Sequence, residues 1–325
     1  MATPPSTSSP ASGAAGHSSP EPAPQRGLGY GAAIAALVFW GGQAVIVKGV
    51  KLDPLPLVFY RIWLAVFWSI GVLYLTGGRL DRSVLRRCLV GGIAFGLDLV
   101  LFFTALKLTT VANATVIASL QPVLLVFAAP FFFKEKVRRL DIGLAAVAVV
   151  GVAVVVYGAS GLPQWSARGD VLALATLFAW TGYFVASKAA RANLSAAEFT
   201  AGATLVAAVV VTPFAALSGQ SWGPPTGVDW FWIAMMAIGP GWAGHYLMNW
   251  ALGHVPIWFG GCVALASPVA STALAALFLN ESITGLQGAG MALTLGTLVV
   301  MTLLSSRQQP SVPPPSPAAP RPATT

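Results

Sequence analysis

The chain has 325 residues, of which 56% are hydrophobic and only 9% charged, with a formal net charge of +8 and a mean hydropathy of +0.75. A soluble domain carries roughly 25% charged residues, so this chain has too few to cover a surface in water, and the bilayer is the solvent that fits. The positive balance does not indicate nucleic acid, because no folded segment offers a basic face interleaved with stacking aromatics.

Residues 1–27 are rich in Pro, Ser and Ala and are predicted to be a disordered tail, without the basic stretch and apolar core of a secretory signal. Ten apolar spans follow, at about 28–47, 55–76, 86–106, 109–133, 138–158, 170–188, 196–217, 230–251, 256–279 and 283–304. Spans of about 20 residues rising 1.5 Å each cross the roughly 30 Å of hydrocarbon. Outer-membrane strands would alternate in polarity, whereas 142–157 is continuously apolar. The predicted fold class is therefore all-α integral membrane. Residues 305–325 form a second Pro-rich tail.

Ionisable groups inside spans are expensive and mark functional sites by default. The first span carries Trp40 and Gln43, and the second Arg61, which suits bidentate capture of a carboxylate or phosphate but also snorkelling to the interface. The third carries Asp98, a substrate-amine contact, a proton carrier, or a structural partner for Arg61. In the fourth, Asn113 and Gln121 precede Pro122, which removes a backbone donor and should kink the helix. The fifth and tenth are nearly without polar groups and read as scaffold or subunit contacts, with a homodimer one possibility. Trp180 and Tyr183 lie in the sixth; Trp40 and Trp180 sit well inside their spans and read as cavity walls. The eighth carries His245 and Asn249 on one face; the histidine suits proton coupling or an interhelical hydrogen bond. Ser267 and Pro268 occupy the ninth in the manner of Gln121 and Pro122. Trp258 reads as an interface anchor, and Lys48, Lys107 and Lys188 as snorkelling or topological charges at span ends. Cys88 and Cys262 read as small packing residues, and neither metal nor cofactor is expected.

The apolar text is written twice. Residues 101–135 laid over 247–281, an offset of 146, give nine identities in 35 positions, among them Pro122/Pro268 and Glu135/Glu281. An offset of 140 pairs Trp40, Gly42, Val45 and Lys48 with Trp180, Gly182, Val185 and Lys188. Kinked helices at matching positions of two membrane repeats are where a substrate cavity is best sought. Counting Lys and Arg on the two sides of a ten-span layout gives 13 against 4, with Arg61 inside a span, so both termini are expected in the cytoplasm. Five spans per half invert the second half. In agreement, the basic loop KEKVRR (134–139) has the repeat partner NESITG (280–285), which keeps the Glu and has no base. Glu135 and Glu281 are expected to cap the following helix or to pair with a nearby charge.

Several stretches carry a family resemblance: FWGG (39–42), Arg61 after the Pro54/Pro56 turn, FFTALKLTTVANATVIASLQPV (102–123) and KEK (134–136) in the first half. In the second half they are AWTGYFVASK (179–188), MNWALGHV (248–255), ASPV (266–269) and NES (280–282). In order and spacing the chain resembles the EamA-type carriers of the drug/metabolite transporter superfamily over about 28–304. The resemblance implies ten transmembrane helices built from two inverted five-helix repeats, 28–158 and 170–304, in the cytoplasmic membrane. It implies a secondary transporter, an exporter of amino acids or related small metabolites, working by alternating access, with protons as a possible coupling ion. The chain departs from the pattern in lacking a base in the seventh span and in carrying His245 and Asn249. The competing readings are an integral membrane enzyme and a membrane scaffold or sensor; three scattered histidines (His17, His245, His254) argue against the first, and bare tails against the second.

Overall fold

The computed structural model describes residues 23–47, 50–109, 111–160, 166–279 and 282–307. Most of both predicted tails, together with Lys48 and Glu281, lies outside them. Among the described residues the secondary structure is helical throughout, without strands. All ten predicted spans are helical, and eight stretches, among them all but the first and eighth spans, are long and apolar enough to cross a membrane.

Helices α1 (Ala23–Val47), α2 (Pro54–Leu75) and α3 (Arg82–Leu108) are continuous. Pro54 and Pro56 open α2, where a missing N–H costs nothing. The side chain of Asp81 caps α3 by accepting from Ser83 N at 2.8 Å and Val84 N at 2.9 Å. The fourth span is divided into α4 (Val111–Ala118) and α5 (Gln121–Phe133), and the ninth into α11 (Ile257–Leu265) and α12 (Ser267–Leu279). The two breaks are copies of one another. Leu120 N donates to Ile117 O at 3.1 Å and Val123 N to Leu120 O at 3.0 Å; Ala266 N donates to Val263 O and Val269 N to Ala266 O, both at 3.0 Å. Each tightened turn stands two residues before its proline, whose ring and missing N–H forbid the ordinary α-helical bond there.

Between them run α6 (Arg139–Ser160), α7 (Ala167–Ala190), α8 (Ala196–Ala216) and α9 (Gly227–Ile238). The eighth span continues from α9 through a π-helical turn, Gly239–Gly244, into α10 (His245–Ala251), and α13 (Gly285–Arg307) closes the chain. The sequence of that turn, GPGWAG, explains it: Pro240 cannot donate an i→i−4 bond, and the glycines leave room for the wider ring.

Packing pairs the helices across the halves. α3 lies on α7 and α8, α1 on α10, the π turn and α12, α2 on α8 and α9, α5 on α11, and α6 on α13. Lipid tails are as apolar as leucine, so close contact between small residues must hold such pairs together. A Cβ on Gly92 of α3 would stand 2.4 Å from Val206 Cβ of α8, which measures how near the two backbones come. The scaffold expectation for the fifth and tenth spans finds a counterpart in α6 against α13, in contact with each other within one chain.

Candidate functional site

A cavity of about 210 Å³ lies between the halves. Its walls come from the later parts of α1 and α3, the early part of α2, the middle of α7, the end of α4, the start of α10, and α11–α12 at their junction. Seven of the residues singled out from sequence line it: Trp40, Gln43, Arg61, Asp98, Trp180, His245 and Ser267. Gln121 and Ser267 line an adjoining pocket of about 140 Å³ beside Pro268 and Trp180, with Gln121 Nε2 3.5 Å from Trp180 O. The side chain of Asn113 lies outside the described residues.

Arg61 is buried and donates from Nη1 to Gln43 Oε1 at 2.9 Å. Asp98 faces the same space, and the two attract electrostatically. Arg61 is nevertheless held by Gln43 rather than in an ion pair with Asp98, and among the described residues no group hydrogen-bonds the Asp98 carboxylate. The cavity therefore presents a guanidinium held by Gln43 and, at Asp98, a carboxyl group without a hydrogen-bond partner among the described residues.

The aromatic wall is dense. Trp40 and Trp180, partners in the sequence repeat, meet edge to face with centroids 5.6 Å apart, and Phe95 lies 4.5 Å from the His245 ring. Trp40 fits against the π turn because position 244 is glycine: a Cβ there would stand 2.8 Å from Trp40 Nε1. That indole N–H is buried and has no partner among the described residues.

Tyr183 and Asn249 do not line the cavity but form a buried layer behind His245. Asn249, fully buried, accepts from Ser187 Oγ at 2.7 Å and donates to Tyr183 Oη at 2.9 Å and Thr200 Oγ1 at 3.0 Å. Tyr183 Oη in turn lies 3.3 Å from His245 Nδ1.

At the opposite end of the bundle, Glu135 does not cap the helix that follows it. Lys134 ends α5 in a left-handed conformation (φ 54°), and Glu135 N returns to Ala129 O at 3.3 Å. The Glu135 carboxylate accepts from Ile257 N at 3.0 Å, capping α11 of the other half, and pairs with Lys188 Nζ at 3.0 Å. Lys188 also donates to Leu252 O at 2.9 Å and Val255 O at 2.6 Å. The snorkelling expectation for Lys188 is thus corrected, since its ammonium has more to gain from three fixed acceptors than from the interface. Trp258 is corrected likewise: at 3% exposure it is core, not an interface anchor.

Sequence reasoning missed Phe95, Leu99, Phe102, Phe103, Thr176, Ala118 and Ala264 in the cavity wall. The spacing 95, 99, 102, 103 around Asp98 marks one helical face and could have found the first four. Ser187 and Thr200 carry no comparable signal.

These features define a class: a multi-pass helical membrane protein with a charged, aromatic-walled cavity between two similarly built halves. The EamA-like transporter family matches residues 27–157 and again 167–303, and the chain belongs to that family. It is a membrane transporter. The aromatic amino acid exporter YddG of Ancylobacter novellus is 26% identical over 282 residues, covering 84% of this chain and 96% of that protein. A probable amino-acid metabolite efflux pump of Salmonella typhimurium is 24% identical over 283 residues, covering 82% and 92%. A crystal structure 24% identical in sequence superposes with a TM-score of 0.74 over 85% of this chain and 98% of the other, a likeness of fold.

Proposed function

We propose that the chain exports a small zwitterionic metabolite, an amino acid, by alternating access between two inverted five-helix repeats. The observation that carries this is the pair of opposite charges, Arg61 and Asp98, set in one aromatic-walled cavity. Its 210 Å³ is below the roughly 300–1,000 Å³ of drug-sized sites, which suits a small metabolite. Arg61 would take the carboxylate, Asp98 the ammonium, and the rings of Trp40, Trp180 and Phe102 the side chain. The names of the two relatives favour amino acids and favour export.

Three features support two related halves. One family profile matches both, the broken turns at Leu120 and Ala266 repeat bond for bond, and several helix pairs recur when the halves are exchanged. Under that exchange α1 on α12 becomes α7 on α5, α1 on α11 becomes α7 on α4, α1 on α10 becomes α7 on α3, and α6–α13 maps onto itself. The lining residues come from the end of the bundle where α1 stops and α2 begins. The Glu135–Lys188 cluster lies at the other end, amid the bases that the positive-inside rule puts in the cytoplasm. The arrangement is that of a carrier closed towards the cytoplasm, with both termini on that side and Asp98 as the group available to exchange a proton for substrate.

A thermal-shift screen of the purified protein against amino acids, nucleosides, sugars and amines tests the substrate class, since stabilisation grows with ligand concentration over Kd. Amino acids alone should raise the melting temperature; a set of hits without them would overturn the reading. Flux into liposomes under an imposed pH gradient tests coupling, and flux indifferent to the gradient would remove Asp98 from that role.

A further inference from the structure

The buried layer behind His245 bears on which of its ring nitrogens carries a proton, and so on what the ring can offer the cavity. Ser187 Oγ occupies Asn249 Oδ1 at 2.7 Å, and Asn249 Nδ2 directs its two hydrogens to Tyr183 Oη at 2.9 Å and Thr200 Oγ1 at 3.0 Å. Tyr183 Oη has one proton of its own. The acceptors within reach are Asn249 Oδ1 at 3.1 Å, which also accepts from Ser187 and belongs to the amide that donates to the same hydroxyl, and His245 Nδ1 at 3.3 Å. Directed at Nδ1, which has no other partner among the described residues, the proton leaves the Asn249 amide to donate to the hydroxyl without competition. A neutral imidazole accepting at Nδ1 carries its hydrogen on Nε2. Nε2 has no partner among the described residues either, and with Nδ1 against the buried layer it is the ring nitrogen left for the cavity that His245 lines with Arg61.

We infer that His245 presents a fixed Nε2–H to the cavity as a second donor, beside Arg61, for the carboxylate of the substrate, with Tyr183 and Asn249 as positioning residues that hold the tautomer. The inference rests on the cavity being an amino-acid site. It changes the role open to His245: a ring whose Nδ1 is occupied by a tyrosine proton acts as a recognition group, not as a proton carrier. The titratable groups that face the ring are Arg61 from α2, Asp98 from α3 and Tyr183 from α7, while α1 contributes the aromatic face of Trp40. Asp98 is left to contact the ammonium.

The test uses the stereochemistry of the two amides. The side-chain nitrogen of Gln reaches where histidine Nε2 lies, that of Asn only where Nδ1 lies. Binding to the purified full-length chain is measured with L-phenylalanine, or with the L-amino acid that stabilises wild type most, and with the corresponding decarboxylated amine. His245→Asn and His245→Ala should weaken the amino acid by about ten- to a hundredfold, the worth of a hydrogen bond to a charged group. His245→Gln should stay within about threefold of wild type, since its amide nitrogen supplies the donor that Nε2–H supplied. The amine, which has no carboxylate, should lose little with any of the three. Tyr183→Phe should weaken the amino acid while leaving the amine unchanged. Between about pH 5.5 and 7.5, where a free histidine titrates, the wild-type and His245→Gln binding profiles should superimpose.

A His245→Gln variant as weak as His245→Ala overturns the inference while the amino-acid reading stands, and so does a wild-type profile whose pH dependence disappears in His245→Gln. Should the Asn and Ala variants fail to fold, the comparison of the Gln and wild-type profiles decides alone. Failure of wild type to bind any amino acid overturns the parent reading and this inference with it.

Discussion

Arg61 and Asp98 attract across one cavity without closing into an ion pair, because Gln43 takes the guanidinium at 2.9 Å. That geometry suits a ligand with two charges. A buried pair made directly would neutralise itself, and opening it would uncover two desolvated charges at a cost of about 3–5 kcal/mol. Asp98→Asn and Arg61→Gln should each weaken amino-acid binding by about ten- to a hundredfold, since each removes one charge-assisted contact. Isothermal titration would check this, and the two losses should differ for substrate analogues. The Asp98 change should be silent towards an analogue lacking the amine, and the Arg61 change towards one lacking the carboxylate. Trp40 adds a cost of a different kind. Its buried N–H, without a partner among the described residues, forfeits about 1–3 kcal/mol, a penalty that the aromatic contacts with Trp180 and His245 offset in part.

Helix ends and helix breaks bring these side chains together. The π turn at Gly239–Gly244 shifts the register of the eighth span just before His245, and the breaks at Leu120 and Ala266 open the adjoining pocket around Gln121 and Ser267. Glu135 joins three elements: it ends α5, caps α11 and pairs with Lys188 of α7. Glu135→Gln keeps a weaker cap but loses the ion pair, so the closed end should loosen. Substrate flux in liposomes should change along with faster hydrogen exchange at Leu252–Ile257; unchanged exchange there would count against a role in closure. Lys134, exposed and left-handed, is a simpler case. A side chain in that region costs roughly 1–2 kcal/mol, and glycine's extra freedom in the unfolded chain returns about 0.5–1. Lys134→Gly should therefore stabilise by about 0.5 kcal/mol, read as a small rise in melting temperature. At the start of α3, the backbone N–H groups of Val84 and Ser83 hold the Asp81 carboxyl below its ordinary value. A lowered value means that the cap is fully present above the ordinary carboxylate range and is lost as pH falls through the lowered one. Asp81→Asn, which caps without a charge, should flatten that acid limb in hydrogen exchange of the first turn of α3.

On the scale of the molecule, the proposed inversion of the second half makes a sharp expectation about sides. The two native cysteines, Cys88 and Cys262, are buried, so single introduced cysteines can be labelled against little background. Lys136→Cys and Ser282→Cys stand next to the repeated glutamates, and both positions are exposed. An impermeant maleimide should reach the first only from the cytoplasmic side and the second only from the outside. Labelling of both from one side would remove the inverted arrangement. Twin cavity walls agree with the duplication, because Trp40 and Trp180, and Ala118 and Ala264, are repeat partners that line one space.

Much of this was legible before any coordinates. Hydrophobic length and scarce charge determine a helical membrane protein, because in hydrocarbon every backbone polar group must find its partner within the segment. Duplication located the broken helices, since a proline forbids the same hydrogen bond wherever it falls. Expense determined the candidates: a charge kept inside an apolar span needs a reason, and Arg61, Asp98 and His245 all reach the cavity. Only the tertiary structure decided partners. Whether Arg61 meets Asp98 or Gln43, whether Glu135 caps α6 or α11, and which side chains gather around Tyr183 Oη depend on distances between helices far apart in the chain. Such contacts leave no local pattern, because hydrogen bonds a few tenths of an ångström apart in length select one partner over another and no residue's own neighbours in sequence record the choice.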